Sequence, residues 1–341
     1  GFVHANQFNM AGAGFGSFND RIRDATHGGF NAFLDQQRRQ GFINGQAYDW
    51  NGYLYGERFQ TDLRFSADRL RIALAGNLQN YGIVDQNNSP VNGLQLSGTG
   101  YTLDPQEAIQ YVTKHDNETL YDLNIYKLPW GNSGTPFTAM SDRVRVQNLG
   151  ISLSGLAQGV PFFHAGVDLL RSKSLDSNSF DSGDWFNKLD FTYQSNNYGV
   201  GLPPEWTSVG RWPVQAPLLA DGGLLPANTE IVSAVEHMQE ILAIRKSSKL
   251  FRLETEADIV ARMQYHNMGS GQLDALIAYS LDDTTGTDLD PLHERIVVVF
   301  NANKFQQSIA IGAFTGMNFV LHPVQAASHD SVVQSASFDG G

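Results

Sequence analysis

Between residues 109 and 163 the sequence reads strand, helix, strand, and no other feature constrains the fold as tightly. Residues 109–113 form a short run containing Ile109, Tyr111 and Val112. Across residues 141–158, Val144, Val146, Leu149, Leu153 and Leu156 keep the three-and-four spacing of one helix face; Ser141-Asp142 opens this stretch and Gly159 follows it. Residues 160–163 then supply a second apolar run, expected to be a buried strand. Two strands joined through a crossover helix lie parallel, so the sequence predicts an α/β region.

The neighbouring segments fill out that reading. Residues 15–24 suggest a short strand running into a loop, and the glycines from Gly12 to Gly16 lack dinucleotide-binding spacing, which leaves a flexible turn. Leu70, Ala73, Leu74, Leu78 and Tyr81 predict a helix over residues 68–81. Residues 171–226 are a long irregular stretch rich in Asp, Asn, Ser and Gly. Loops of that length are functional or disordered, and five aromatics from Phe180 to Tyr193 argue against disorder. Asn228 is placed to cap a helix whose apolar stripe is Ile231, Val235, Met238, Ile241 and Leu242. After about residue 251 the pattern changes to short β-rich runs at 259–263, 273–280, 295–301, 308–311 and 319–321, which predicts an antiparallel β domain. A chain of 341 residues exceeds the usual reach of one core. The expected division is 1–253 and 254–341.

Charge and residue usage remove several classes of function. With 23 basic against 35 acidic side chains and a net charge of −12, the chain repels a phosphate backbone, so nucleic acid is excluded as a partner. It has no cysteine, hence no disulfide, zinc thiolate or thiol nucleophile. Its longest apolar runs, such as residues 296–300, fall far short of the roughly 20 residues that span a bilayer. No basic-then-apolar leader opens the sequence. Charged residues are only 17% of the chain, so much of the surface is neutral and hydrogen-bonding, as suits sugars and ordinary surfaces alike.

The densest chemical signal is Lys114-His115-Asp116-Asn117-Glu118, expected just past the C-terminal end of a strand, where α/β barrels place their catalytic groups. A His-Asp pair there can hold sugar hydroxyls, the carboxylate facing charge that develops at an anomeric carbon. Alone, such a pair is more often a structural couple, and His164, which ends the second strand, is discounted in the same way. Asp282, Asp283 and Asp288 do not match the spacing of an EF-hand loop and read as a solvated hairpin. Asn117-Glu118-Thr119 matches a glycosylation sequon, taken here as accidental. Gly-x-Ser-x-Gly, His-Glu-x-x-His and Walker motifs do not occur.

Five segments together resemble type I pullulanases of the α-amylase superfamily (glycoside hydrolase family 13). They are Asn19-Asp20-Arg21-Ile22-Arg23-Asp24-Ala25; residues 111–120 around His115-Asp116; Pro161-Phe162-Phe163-His164-Ala165-Gly166 with residues 169–174; Asp181-Ser182-Gly183-Asp184-Trp185-Phe186-Asn187; and Leu242-Ala243-Ile244-Arg245-Lys246-Ser247-Ser248. Leu321-His322-Pro323-Val324-Gln325 resembles the C-terminal β domain of the same enzymes. The resemblance implies the C-terminal part of a (β/α)8 TIM barrel followed by an all-β antiparallel sandwich. It also implies a retaining cleavage of α-1,6-glucosidic branch linkages in pullulan, starch-derived dextrins or glycogen. Asp116 matches the transition-state stabiliser; His115, Asn117, Arg171, Asp184 and Trp185 match substrate-binding positions.

The family's nucleophile and acid/base motifs should precede the segment resembling residues 2–24, and neither occurs in this sequence. The expectation is therefore a C-terminal fragment, both of whose ends look cut and which is inactive alone; the alternative is a non-catalytic α-glucan-binding protein. The resemblance requires no cofactor, is compatible with a structural calcium ion, and places many family members at or beyond the bacterial cell surface. An open parallel sheet would also leave barrel edges through which copies could self-associate.

Overall fold

The computed structural model describes residues 4–29, 37–47, 49–53, 59–131, 137–208 and 210–340. Strands β1 (Ser17–Phe18), β4 (Ala108–Gln110) and β5 (Val160–Pro161) form a parallel sheet in the order β1-β4-β5, with Ser17 opposite Ala108 and Ile109 opposite Val160. Between β4 and β5 run α3 (Leu120–Lys127) and α4 (Met140–Gly155), so the crossover read from periodicity is present. The strands are shorter than the predicted runs 109–113 and 160–163. Beyond Gln110 and Pro161 the ladder adds only the bonds from Asn19 N to the Ile109 carbonyl and from Phe162 N to the Gln110 carbonyl, 2.9 and 2.8 Å, before the chains turn away. The second run is also not buried: Phe162 is 47% exposed and meets Phe18 edge-on at 6.0 Å. A buried amide stitches the sheet to its surroundings. Gln110 Nε2 donates to the carbonyls of Ala73 and Gln158, and its oxygen accepts from Asn19 Nδ2 at 2.9 Å.

Several elements differ from expectation. After β1 comes not a loop but helix α1 (Asp20–His27), because the Asn19 side chain accepts from the amides of Arg21 and Ile22 and Gly28, at φ 87°, closes the last turn. Helix α2 (Phe59–Leu74) starts well before residue 68 and stops at Leu74, since Gly76 and Asn77 take left-handed conformations, φ 77° and 57°. Leu78 and Tyr81 remain buried beyond it, and the hairpin β2 (Gly82–Val84) and β3 (Pro90–Asn92) follows. The described residues of 171–226 contain short 3-10 turns and one helix, α5 (Trp212–Leu219).

Helix α6 (Asn228–Ser247) is capped by Ala227, not Asn228; the Glu230 carboxylate accepts from the Ala227 amide, while Asn228 Nδ2 donates to the Tyr193 carbonyl at 2.8 Å. Its buried face ends on Ile241, Ile244 and Arg245, which leaves Leu242 44% exposed. Arg245 reaches the carbonyls of Gly155, Ala157 and Gly159 and so satisfies the open end of α4.

Beyond residue 253, residues 259–262 are the end of a helix, α7 (Glu256–Arg262), rather than a strand: Thr255 accepts from Asp258 N at 3.1 Å and caps it. Strands β6 (Met263–Tyr265), β7 (Leu276–Asp282) and β8 (Arg295–Asn301) pair antiparallel in the order β6-β7-β8. The runs 308–311 and 319–321 form no strand; Phe319 instead packs on Phe314 and Phe338. The β7–β8 connection is less solvated than expected. Asp283 is buried, pairs with Arg262, and accepts from the amides of Leu289 and Asp290 at 2.9 and 2.7 Å. Among the described residues no three or more His, Asp or Glu side chains are placed to hold a metal ion.

One apolar cluster runs from Ile22 through α2 and α4 to Ala302, across residue 253, and a second gathers Tyr121, Leu169, Leu218, Ile231 and Val235. Three tyrosines tie the first together by donating to backbone carbonyls: Tyr81 to Met263, Tyr265 to Arg71 and Tyr279 to Leu156, at 2.6–2.8 Å. Tyr81→Phe removes one of these donors and is expected to cost about 1 kcal/mol, by stranding the Met263 carbonyl. A denaturant midpoint shift matching that value, at unchanged slope, checks it.

Candidate active site at the parallel strand ends

The chain leaves β4 through Tyr111, Val112 and Thr113, all buried, and emerges in the turn 114–117. Two local devices fix where this turn ends: Asn117 takes φ 62°, and Thr119 caps α3 by accepting from Asp122 N at 3.1 Å. The side chains of His115 and Asp116 therefore stand in solvent, 81% and 58% exposed. Lys114 Nζ binds one oxygen of Asp116, and His115 Nε2 lies 3.4 Å from the other. The Lys114 hydrogen bond is the main influence that holds the Asp116 carboxyl below its ordinary range. An ionised carboxylate beside an accessible imidazole can accept from a hydroxyl while offering negative charge to a reacting centre.

Glu118, two residues on, is the opposite case. It is buried, accepts from Gln37 Nε2 at 2.8 Å and Arg211 Nη1 at 3.2 Å, and burial raises its pKa.

Beyond β5, Arg171 reaches back to His164 Nε2 at 3.1 Å and to the carbonyls of Ala165 and Asn187 at 3.0 and 3.1 Å. The last bond joins it to the 3-10 turn Asp184–Asn187, where Asp184 and Trp185 are exposed. That turn is braced by Asn187, which exchanges bonds with Ser179, and by Asn197 Nδ2 on the Trp185 carbonyl at 2.7 Å. Gly183 is required there: at φ 116° a Cβ would lie 2.6 Å from the Trp185 ring. Arg171 thus gathers His164 and the Asp184–Trp185 turn into one unit, and Lys173 carries that unit to the His115 carbonyl at 3.3 Å.

His164 gives this unit a pH signature. Burial, with Arg171 beside it, lowers the ring to about 4, so at neutral pH it is uncharged and accepts from Arg171. The unfolded ring binds its proton near pH 6.5; the contribution of this group to stability is present above that value and is lost as pH falls through about 4. A titration of the His164 ring resonances is expected to show a midpoint near 4; a midpoint above 6 contradicts the burial argument.

Sequence reasoning missed Asp122, Lys173 and Arg211, which are charged residues drawn beneath the site. Asp122 and Lys173 are fully buried. Asp122 carries a pKa raised to about 6 by burial.

Residues 193–341 match the family model for alpha-1,6-glucosidases, pullulanase-type, C-terminal. The chain is 39% identical to pullulanase 1, chloroplastic, of Arabidopsis thaliana, over 99% of its own length and 36% of that protein's. It is 32% identical to a Klebsiella pneumoniae pullulanase, over 97% and 30% of the two lengths. In structure it superposes on the Klebsiella pneumoniae pullulanase complexed with maltotriose at a TM-score of 0.87 and 34% identity, covering 96% of this chain and 31% of that one. The chain thus spans about a third of the length of the relatives it matches. Over nearly its whole length the chain is thus similar to pullulanases, and residues 193–341 match the C-terminal part of that type.

Proposed function

We propose that the protein bearing this sequence hydrolyses α-1,6-glucosidic branch linkages in pullulan, starch-derived dextrins or glycogen, and that Asp116 is its transition-state stabiliser. The observation that carries this is the exposed, ionised Asp116 beside His115, on a turn just beyond a parallel strand. In a retaining cleavage the ring gains positive charge as the glycosidic bond lengthens, and a fixed carboxylate that also accepts from sugar hydroxyls lowers that barrier. His115 and Asn117 would hold the same sugar, while Arg171, Asp184 and Trp185 would line subsites farther along. Trp185 offers an exposed ring for a sugar face.

The order β1-β4-β5 with helical crossovers supports a share of a (β/α)8 barrel in residues 1–253, and the antiparallel β6-β7-β8 sheet supports a β-sandwich domain in 254–341. The parallel strand edges would then self-associate, or pair with the remainder of the barrel. Among the described residues no helix is long and apolar enough to cross a membrane. The relatives come from bacteria and from a plant, the latter named as chloroplastic, and action at or beyond the cell surface rests on the family resemblance alone. The resemblance requires no cofactor.

The sequence contains neither the nucleophile nor the acid/base motif, so these 341 residues alone are expected to release no reducing ends from pullulan. Release that Asp116→Ala abolishes would overturn that expectation. The maltotriose complex of the Klebsiella relative favours a second reading, in which the chain binds α-glucan without turnover; saturable binding without product would support it.

A further inference from the structure

We infer that Lys173, anchored by Asp122, sets the conformation of the His115–Asp116 turn, and thereby the fit of that turn to sugar. The inference rests on the glucan reading above.

Lysine is rarely enclosed in a protein interior, yet Lys173 is only 1% exposed. Its Nζ donates to the His115 carbonyl. Burial lowers its pKa; Asp122, Asp176 and Glu118 act in the opposite sense, and Arg171 adds to the lowering. A neutral side chain of similar length would fill this space without the cost of desolvating a charge. The ammonium group is therefore explained by what it holds, a backbone carbonyl in the turn that carries the stabiliser.

Asp122 fixes the other end of the lysine. It is fully buried, it accepts from Ser172 Oγ, and it accepts from Lys173 N at 2.7 Å. Leu170, Ser174 and Leu175 all take left-handed conformations, φ 53°, 53° and 65°, unfavourable for leucine above all. Strain of this kind persists only where surrounding contacts over-determine it, and it gathers at functional segments. The strained segment also bears Arg171, so the same clamp would register the Arg171 unit against the His115–Asp116 turn.

A structural staple and a positioning residue predict different outcomes. The Lys173→Met variant removes the donor and keeps most of the volume. Hydrogen exchange of the amides at residues 115–117 is expected to rise about tenfold, and maltotriose affinity to fall about tenfold, with the thermal midpoint nearly unchanged. Unchanged exchange and affinity, or a lowered midpoint with the turn unaltered, would overturn the inference. Should Lys173→Met not fold, Asp122→Asn keeps the shape and removes the charge; a rise of about threefold in exchange at the same amides is then expected, and no rise overturns the inference. If the unaltered chain shows no saturable maltotriose binding, the glucan reading fails, and the exchange rates still decide whether Lys173 holds the turn.

Discussion

Asp116→Asn, introduced into the full-length protein, is expected to lower kcat on pullulan roughly 1000-fold while KM moves less than tenfold. Asparagine keeps the shape of the side chain and can still accept from a sugar hydroxyl, so the bound sugar loses little. What it removes is the negative charge opposite an anomeric carbon that becomes positive only as the bond breaks, and that loss falls on the transition state. Lys114 keeps Asp116 ionised below the usual carboxylate range, so an acidic limb in the pH profile should belong to another group. Steady-state kinetics on pullulan would separate these effects. A fall of less than tenfold in kcat would remove Asp116 from the stabiliser's role.

The second large effect concerns stability. Asp68→Ala is expected to destabilise the chain by about 3–5 kcal/mol. Arg71 and Asp68 are both fully buried and 2.5 Å apart, and Arg71 also donates to the Asn267 carbonyl and, at 2.9 Å, to Gln272 Oε1. These bonds fasten α2 to the turn between β6 and β7. Burial already works against both charges, raising the Asp68 pKa and lowering that of Arg71, so removal of the carboxylate leaves a guanidinium with no counter-charge in an apolar setting. At about 1.4 °C per kcal/mol for a chain of this size, the thermal midpoint should fall by about 4–7 °C. Adding Arg71→Met to Asp68→Ala should recover part of the loss, because the stranded charge is then gone.

Local pattern made some elements legible and tertiary packing hid others. The crossover from β4 to β5 was readable because most of the α4 stripe, Val146, Leu149, Leu153 and Leu156, packs on one cluster, with Val144 turned to the other. Helix α1 was not, although Asn19 and Gly28 are ordinary start and stop residues, because the apolar content of residues 15–24 is too thin to show a period. Residues 259–260 invited a strand through Ile259 and Val260, yet the Thr255 cap and the burial of Ile259 with Arg262 on one helix face, Val260 being exposed, decided otherwise. Runs 308–311 and 319–321 have strand-like residues without a neighbouring strand to pair with, and Phe319 satisfies its apolar surface against other rings.

At the candidate site, His115 and Asp116 stood out because two adjacent polar residues past a strand end are visible in one dimension. The groups beneath them are not: Lys173 N reaches Asp122 across 51 positions, and Arg211 reaches Glu118 across 93. No spacing rule links residues so far apart, and each side chain alone resembles an ordinary surface charge.

The most direct test of the account is a titration of the 341-residue chain with maltotriose, followed by amide and side-chain NMR. Saturable shifts concentrated at His115, Asp116, Asn117, Arg171, Asp184 and Trp185, and abolished by Asp116→Ala, are the predicted result. Saturable shifts confined to residues 254–341, or shifts at the parallel strand ends that survive Asp116→Ala unaltered, would contradict the assignment of this turn as the glucan-facing part of the site.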